Sequence, residues 1–218
     1  MKKRLIIAVA LLVLLTTINT KQEIIISKFN IKEIRIDNNF ILKEKELKKL
    51  LSQIYDKNLI FLSNNEIEKL IMKNNYIESF KIKKIYPNTL KIKIYEKKPI
   101  AILFKKKKKF YLSEKMEIIQ FRKIKNYREL PYVFGNEKNF KKFYTDLKKI
   151  DFPFNIIQKY TLFEFNRWDI ETVSDKLIKL PPENYLKSLK NFLDIKNKNN
   201  FKKYKVFDYR IENQLILK

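Results

Sequence analysis

The chain contains no cysteine and no histidine. That removes thiol nucleophiles, imidazole bases and most of the usual zinc or copper ligands. The carboxylates Glu164, Asp169, Glu171 and Asp175 show no spacing that singles out an acid/base pair. A single glycine, Gly135, excludes the glycine-rich turns that cradle phosphates, since those need several glycines at fixed spacing. No catalytic residue, cofactor or metal is expected, and the chain reads as a non-enzyme.

Charge is the remaining signal. The formal net charge is +25, a balance that ordinarily points to nucleic acid or an anionic membrane surface. Only six of the 49 basic residues are arginine (Arg4, Arg35, Arg122, Arg128, Arg167 and Arg210), whereas phosphate and base recognition favours the bidentate guanidinium. The lysines are spread over every segment and read as a solvated surface, with no nucleic-acid partner. Lys105 to Lys109 form a run that cannot be core. Near an anionic leaflet each would contribute about 1 kcal/mol, and a plain solvated turn is the alternative.

The elements that position these residues begin with Met1 to Arg4, followed by an uncharged apolar run from Leu5 to Leu15 that continues through Thr16, Thr17 and Ile18. The basic flank lies upstream, so the positive-inside rule keeps residues 1–4 in the cytoplasm and sends the rest across. A transmembrane anchor over 5–20 is expected. A cleavable signal peptide is the alternative, although no small-x-small site follows.

From Ile31 the pattern is a strand, with Ile34 and Ile36 alternating around Arg35. Leu47, Leu50, Leu51 and Ile54 then form one helical stripe. Ile67, Leu70 and Ile71 form a second, opened by Ser63 and Glu66 at capping-box spacing. Phe80 and Ile82, and then Leu90, Ile92 and Ile94, alternate with lysine across a turn at Tyr86–Thr89. The order is β-α-α-β-β.

Beyond Pro99 come strand-like runs at 100–104, 110–112 and 118–121, and a helix carrying Phe140, Phe143, Leu147 and Ile150. Another strand is expected from Tyr160 to Phe165, a short one around 177–180, and a helix after Pro181-Pro182 with Leu186, Leu189 and Leu193. The last segment, 206–217, alternates Phe207, Tyr209 and Ile211 with Asp208 and Arg210, the pattern of a strand with one charged face. A mixed sheet covered by helices buries such a set.

The βααββ order, the Asn58-Leu59-Ile60-Phe61 segment between its helices, and the strings YPNTL (86–90) and EKKPIA (96–101) resemble a POTRA domain. LPYVFG (130–135), RWDI (167–170), the LP before the last helix and FDYR (207–210) resemble the β domain of the FtsQ/DivIB division family, in the same order. The resemblance implies an α+β chain with a cytoplasmic tail (1–4), a transmembrane helix (5–20), a POTRA domain (28–97) and an FtsQ-type β domain of mixed sheet and covering helices (98–218). It implies a non-catalytic divisome scaffold in the bacterial inner membrane, single-pass type II, periplasmic in bulk and placed at the septum. Its partners would be FtsB/FtsL-like single-pass proteins at the C-terminal strand edge, with further division proteins on the POTRA segment. The partner-binding residues implied are Arg210, Tyr209, Ile211, Asn213 and Arg167. Arg210 matches the family's arginine after the aspartate, a donor to a partner carboxylate, although a surface salt bridge is the plainer reading of its type. Ile211 stands where the family often carries an aromatic residue. A POTRA-bearing outer-membrane assembly or secretion factor is the alternative, though it needs a downstream barrel.

Overall fold

The structure is a computed structural model and describes residues 2–16 and 27–218. Two compact units divide it, Met1–Glu96 and Lys97–Lys218. The segment expected to be a transmembrane anchor is a helix, α1, over Lys2–Thr16, and residues 17–20 of that expectation lie outside the described ones. Fifteen residues rise only ~22 Å, short of the ~30 Å apolar layer of a bilayer. Among the described residues no helix is long and apolar enough to cross a membrane, so the expected transmembrane helix is not supported. Its apolar side chains, Leu5, Ile6, Leu11, Leu12 and Leu14 among them, are exposed.

The first unit follows the expected order: β1 (Glu33–Asp37), α2 (Glu44–Leu50), α3 (Asn64–Ile71), β2 (Ile77–Ile85) and β3 (Thr89–Glu96). β3 is central, parallel to β1 and antiparallel to β2. Leu90, Ile92 and Ile94 point from β3 into a core shared with Ile34, Leu47, Ile54, Leu59, Ile67 and Ile71, while Lys93 stays in water. Each such buried aliphatic contributes roughly 1.5–3 kcal/mol. The first helical stripe does not stay α-helical, because residues 52–54 tighten into a 3-10 turn that still buries Ile54. Of the capping box only half forms: Ser63 Oγ accepts from the Asn65 amide at 3.3 Å, and the Glu66 carboxylate pairs with Lys57 instead. The Glu96 carboxylate closes the unit, accepting the amides of Phe40, Ile41 and Leu42 at 3.1, 2.7 and 2.8 Å.

The second unit is a nine-stranded mixed sheet with the order β12-β11-β10-β9-β8-β7-β4-β5-β6. Its strands are β4 (Pro99–Lys105), β5 (Lys108–Ser113), β6 (Ile118–Gln120), β7 (Tyr132–Phe134), β8 (Ile157–Leu162), β9 (Trp168–Thr172), β10 (Leu177–Lys179), β11 (Val206–Asp208) and β12 (Ile216–Leu217). Helix α4 (Glu137–Lys149) joins the parallel neighbours β7 and β8, and α5 (Tyr185–Ile195) joins the parallel neighbours β10 and β11. Both crossovers step the same way along the sheet, so crossovers of one hand place both helices on one face. There Phe140, Phe143 and Leu147 of α4 and Leu189, Phe192 and Ile195 of α5 bury Leu103, Val133, Tyr160, Ile170, Ile178 and Phe207. Phe143 stacks on Trp168 with centroids 5.0 Å apart, and Phe192 meets Phe207 edge-on at 5.0 Å.

Two expected strands differ from the sequence reading. The one expected over Tyr160 to Phe165 is shifted and runs from Ile157 to Leu162, and the last one is shorter, ending at Asp208 rather than running through Ile211. In the second case the Asp208 side chain takes the Arg210 amide at 3.1 Å, a local bond that competes with the ladder. The chain then turns through Asn213, at φ 57°, and returns as β12, antiparallel to β11.

Candidate functional site

One register row crosses the large sheet near one end: Phe104, Phe134, Thr161, Asp169, Lys179, Asp208 and Ile216, from β4, β7, β8, β9, β10, β11 and β12 in turn. Opposed residues share a face, and the adjacent positions Leu103, Val133, Tyr160, Ile170, Ile178 and Phe207 face the helices. The row therefore lies on the face away from α4 and α5. β4, β7, β8, β10 and β11 all run towards this end, so the loops leaving them gather along one rim with the start of both helices.

At the β9–β11 end of the row the charges alternate: Asp169, Lys179, Asp208. Both aspartates are buried, at 6% and 5% exposure, beneath arginines from the rim loops. Arg167 pairs through Nη1 with Asp169. Arg210 grips Asp208 with Nε at 2.9 Å and Nη2 at 2.7 Å, and its own side chain remains half exposed. The two carboxylates respond in opposite directions. The hydrogen bonds from Arg210 hold the Asp208 carboxyl below the usual aspartate range, aided by Lys179. Burial pushes the Asp169 carboxyl up, against the pull of Arg167, Lys179 and Arg210. Removing either arginine would leave a buried anion without its partner, the costly half of a buried ion pair.

Beside this cluster lies a groove of about 560 Å³ between the start of α5 and the turn from β11 to β12. Tyr209, Arg210, Ile211 and Asn213, four of the five residues implied as partner contacts, line it with Pro182 and Lys187. Their roles differ. Tyr209 is buried, and its hydroxyl donates to Asn191 Oδ1 at 2.9 Å, so it props the groove wall. Ile211 is 52% exposed at the lip. Asn213 supplies the left-handed residue of the turn, which asparagine tolerates. Arg167 does not line the groove; it sits in the β8–β9 loop, over the Phe163 ring at 4.3 Å.

β12 is the last strand of the sheet, and its outer side is unpaired among the described residues. Val206 and Lys218 exchange both backbone bonds, at 2.9 and 3.1 Å. By antiparallel alternation the N–H and C=O of Leu217 therefore point outwards. Sequence reasoning reached the C-terminal edge but missed the groove, whose α5 wall carries no signal linking it to the last ten residues. Among the described residues no cluster of three or more His, Cys, Asp or Glu is placed to hold a metal ion.

The first unit has the three-stranded, two-helix form of a POTRA domain, a protein-docking fold. Residues 29–97 match the family model described as POTRA domain, FtsQ-type, so the chain carries an FtsQ-type POTRA domain. No curated protein matches the chain.

Proposed function

We propose that this chain is a division scaffold of the FtsQ/DivIB kind that docks proteins and performs no chemistry. An FtsQ-type POTRA domain suggests a division-related scaffolding role. In this reading residues 1–4 are a cytoplasmic tail, and the segment over 5–20 holds the chain in the inner membrane as a single-pass type II protein. The POTRA domain (28–97) and an FtsQ-type β domain (98–218) then work in the periplasm at the septum.

The observation that carries the docking mechanism is the open edge of β12 beside the groove. An FtsB-like segment, in complex with an FtsL-like one, adds a strand to β12. Main-chain bonds supply affinity, and side chains seated against Ile211, Asn213 and the groove supply register. Arg210 and Arg167 act as shared donors: each already holds a buried aspartate, and the exposed half of Arg210 is free to meet a partner carboxylate.

The test is co-purification of the full-length chain with the FtsB-like protein of its own cell, in detergent, for wild type, Ile211→Glu and Leu217→Pro. Ile211 is exposed, and Leu217→Pro removes an outward donor while sparing the pairing with β11. Loss of the complex in both variants, with the unfolding temperature of Ile211→Glu close to wild type, is expected. Retention in both would overturn strand addition at this edge.

A further inference from the structure

The rim carries one residue whose backbone and side chain are both placed at a cost. Phe165, in the β8–β9 loop, has φ 57° and ψ 29° and is 86% exposed. Eleven non-glycine residues among the described ones have positive φ, and seven of them are Asn or Asp, which adopt that region most readily. Phe165 is the aromatic exception, and Asn166 beside it is also left-handed. Asparagine at 165 would relieve both costs. A bulky side chain kept in a disfavoured conformation in open solvent points to function at that position.

The base of the loop is pinned while the ring is not. The Phe163 amide donates to the Arg167 carbonyl at 2.8 Å, the Arg167 amide to the Glu164 carbonyl at 3.3 Å, and Asn139 Nδ2 to Asn166 Oδ1. No ring partner or cation holds Phe165 among the described residues. Its neighbour Asn166 lines a crease of about 160 Å³, together with Lys138, Lys142, Trp168, Pro182 and Tyr185 among others. Pro182 also lines the groove beside β12, so crease and groove are neighbours on either side of that residue. Lys138 and Lys142 are exposed, and Arg167 stands at the foot of the loop.

We propose that Phe165 is a preorganised aromatic anchor, which enters an apolar pocket ringed by carboxylates on the same partner that adds a strand to β12. The inference rests on the docking reading above, which already brings the partner to Arg167 of the same loop, and adds the Phe165 ring to that partner's footprint. The partner's acidity follows from charge complementarity with the exposed Lys138 and Lys142 of the crease. A protein pocket is favoured over a bilayer because a fixed backbone conformation repays its cost only against a surface of fixed shape. Lipid accepts an aromatic ring in any conformation.

The experiment measures affinity of the full-length chain for the FtsB-like protein in detergent, together with the unfolding temperature, for wild type, Phe165→Asn and Phe165→Trp. Phe165→Asn is expected to weaken binding about tenfold or more while leaving the unfolding temperature unchanged or higher, and Phe165→Trp to retain binding. A fall in unfolding temperature with Asn would make Phe165 structural and overturn the proposal. Unchanged affinity with Asn, while Leu217→Pro still abolishes binding, would overturn it and leave the strand-addition reading standing. Loss of binding to phosphatidylglycerol vesicles in place of the protein would reassign Phe165 to the membrane. No binding by wild type would overturn both readings.

Discussion

Replacing the one glycine of this chain tests how tightly the rim is packed. Gly135 links β7 to Asn136, whose side chain caps α4 by accepting the Asn139 amide at 2.8 Å. An alanine Cβ there would lie 2.9 Å from Leu162 Cβ and 3.0 Å from Trp168 Cη2. Ordinary contact begins at 3.4 Å, so the gap to Leu162 must open by 3.4 − 2.9 = 0.5 Å. Neither neighbour yields easily: Leu162 Cβ is fixed to its strand, and Trp168 is 4% exposed and stacked on Phe143. Overpacking of this kind costs about 1–3 kcal/mol. Lost freedom of the unfolded glycine offsets about 0.4–1 kcal/mol. Gly135→Ala should therefore lower stability by a net of about 1.3 kcal/mol at mid-range and at most about 2.6 kcal/mol, which corresponds to an unfolding temperature lower by on the order of 5 °C. The assay is built in, because Trp168 is the sole tryptophan and its emission follows unfolding at the site itself. Stability equal to or above wild type would refute the argument that close packing, rather than backbone freedom, requires glycine here.

Two further outcomes follow from the charges. In the Asp208–Arg210 pair the folded aspartate pKa is depressed, so its stabilisation is full above the ordinary value of about 3.9 and is lost as pH falls through the lower folded value. The urea midpoints of wild type and Asp208→Asn should therefore differ at pH 7 and converge as the pH falls below the ordinary aspartate value. Asp169 is displaced the other way by burial, so Asp169→Asn should cost less at pH 7 than Asp208→Asn does; the reverse order would contradict the assignment. In the POTRA domain, Glu96→Ala removes the acceptor of three amides. It should cost about 2–3 kcal/mol, and hydrogen exchange should show the Leu42 amide losing its protection.

The βααββ order was legible because the change of period from 2 to 3.6 and back is written locally, in runs such as Leu90-Ile92-Ile94 and Ile67-Leu70-Ile71. Helices α4 and α5 were legible for the same reason, although of the expected stripe Leu186, Leu189 and Leu193 only Leu189 is fully buried, joined by Phe192 and Ile195, while Leu186 and Leu193 stay half-buried. Alternation misled where a side chain intervened. Phe207, Tyr209 and Ile211 keep strand period, yet Asp208 captures the Arg210 amide and the strand stops.

Composition by itself removed thiol, imidazole and glycine-loop chemistry, and periodicity by itself set the number and kind of most elements, since both depend only on residue type and near neighbours. The placement of Asp169, Lys179 and Asp208 on consecutive strands, the groove between α5 and the β11–β12 turn, and the left-handed Phe165 were decided by the tertiary structure alone. Register, crossovers and backbone turns bring together residues tens of positions apart, and no local pattern encodes that proximity.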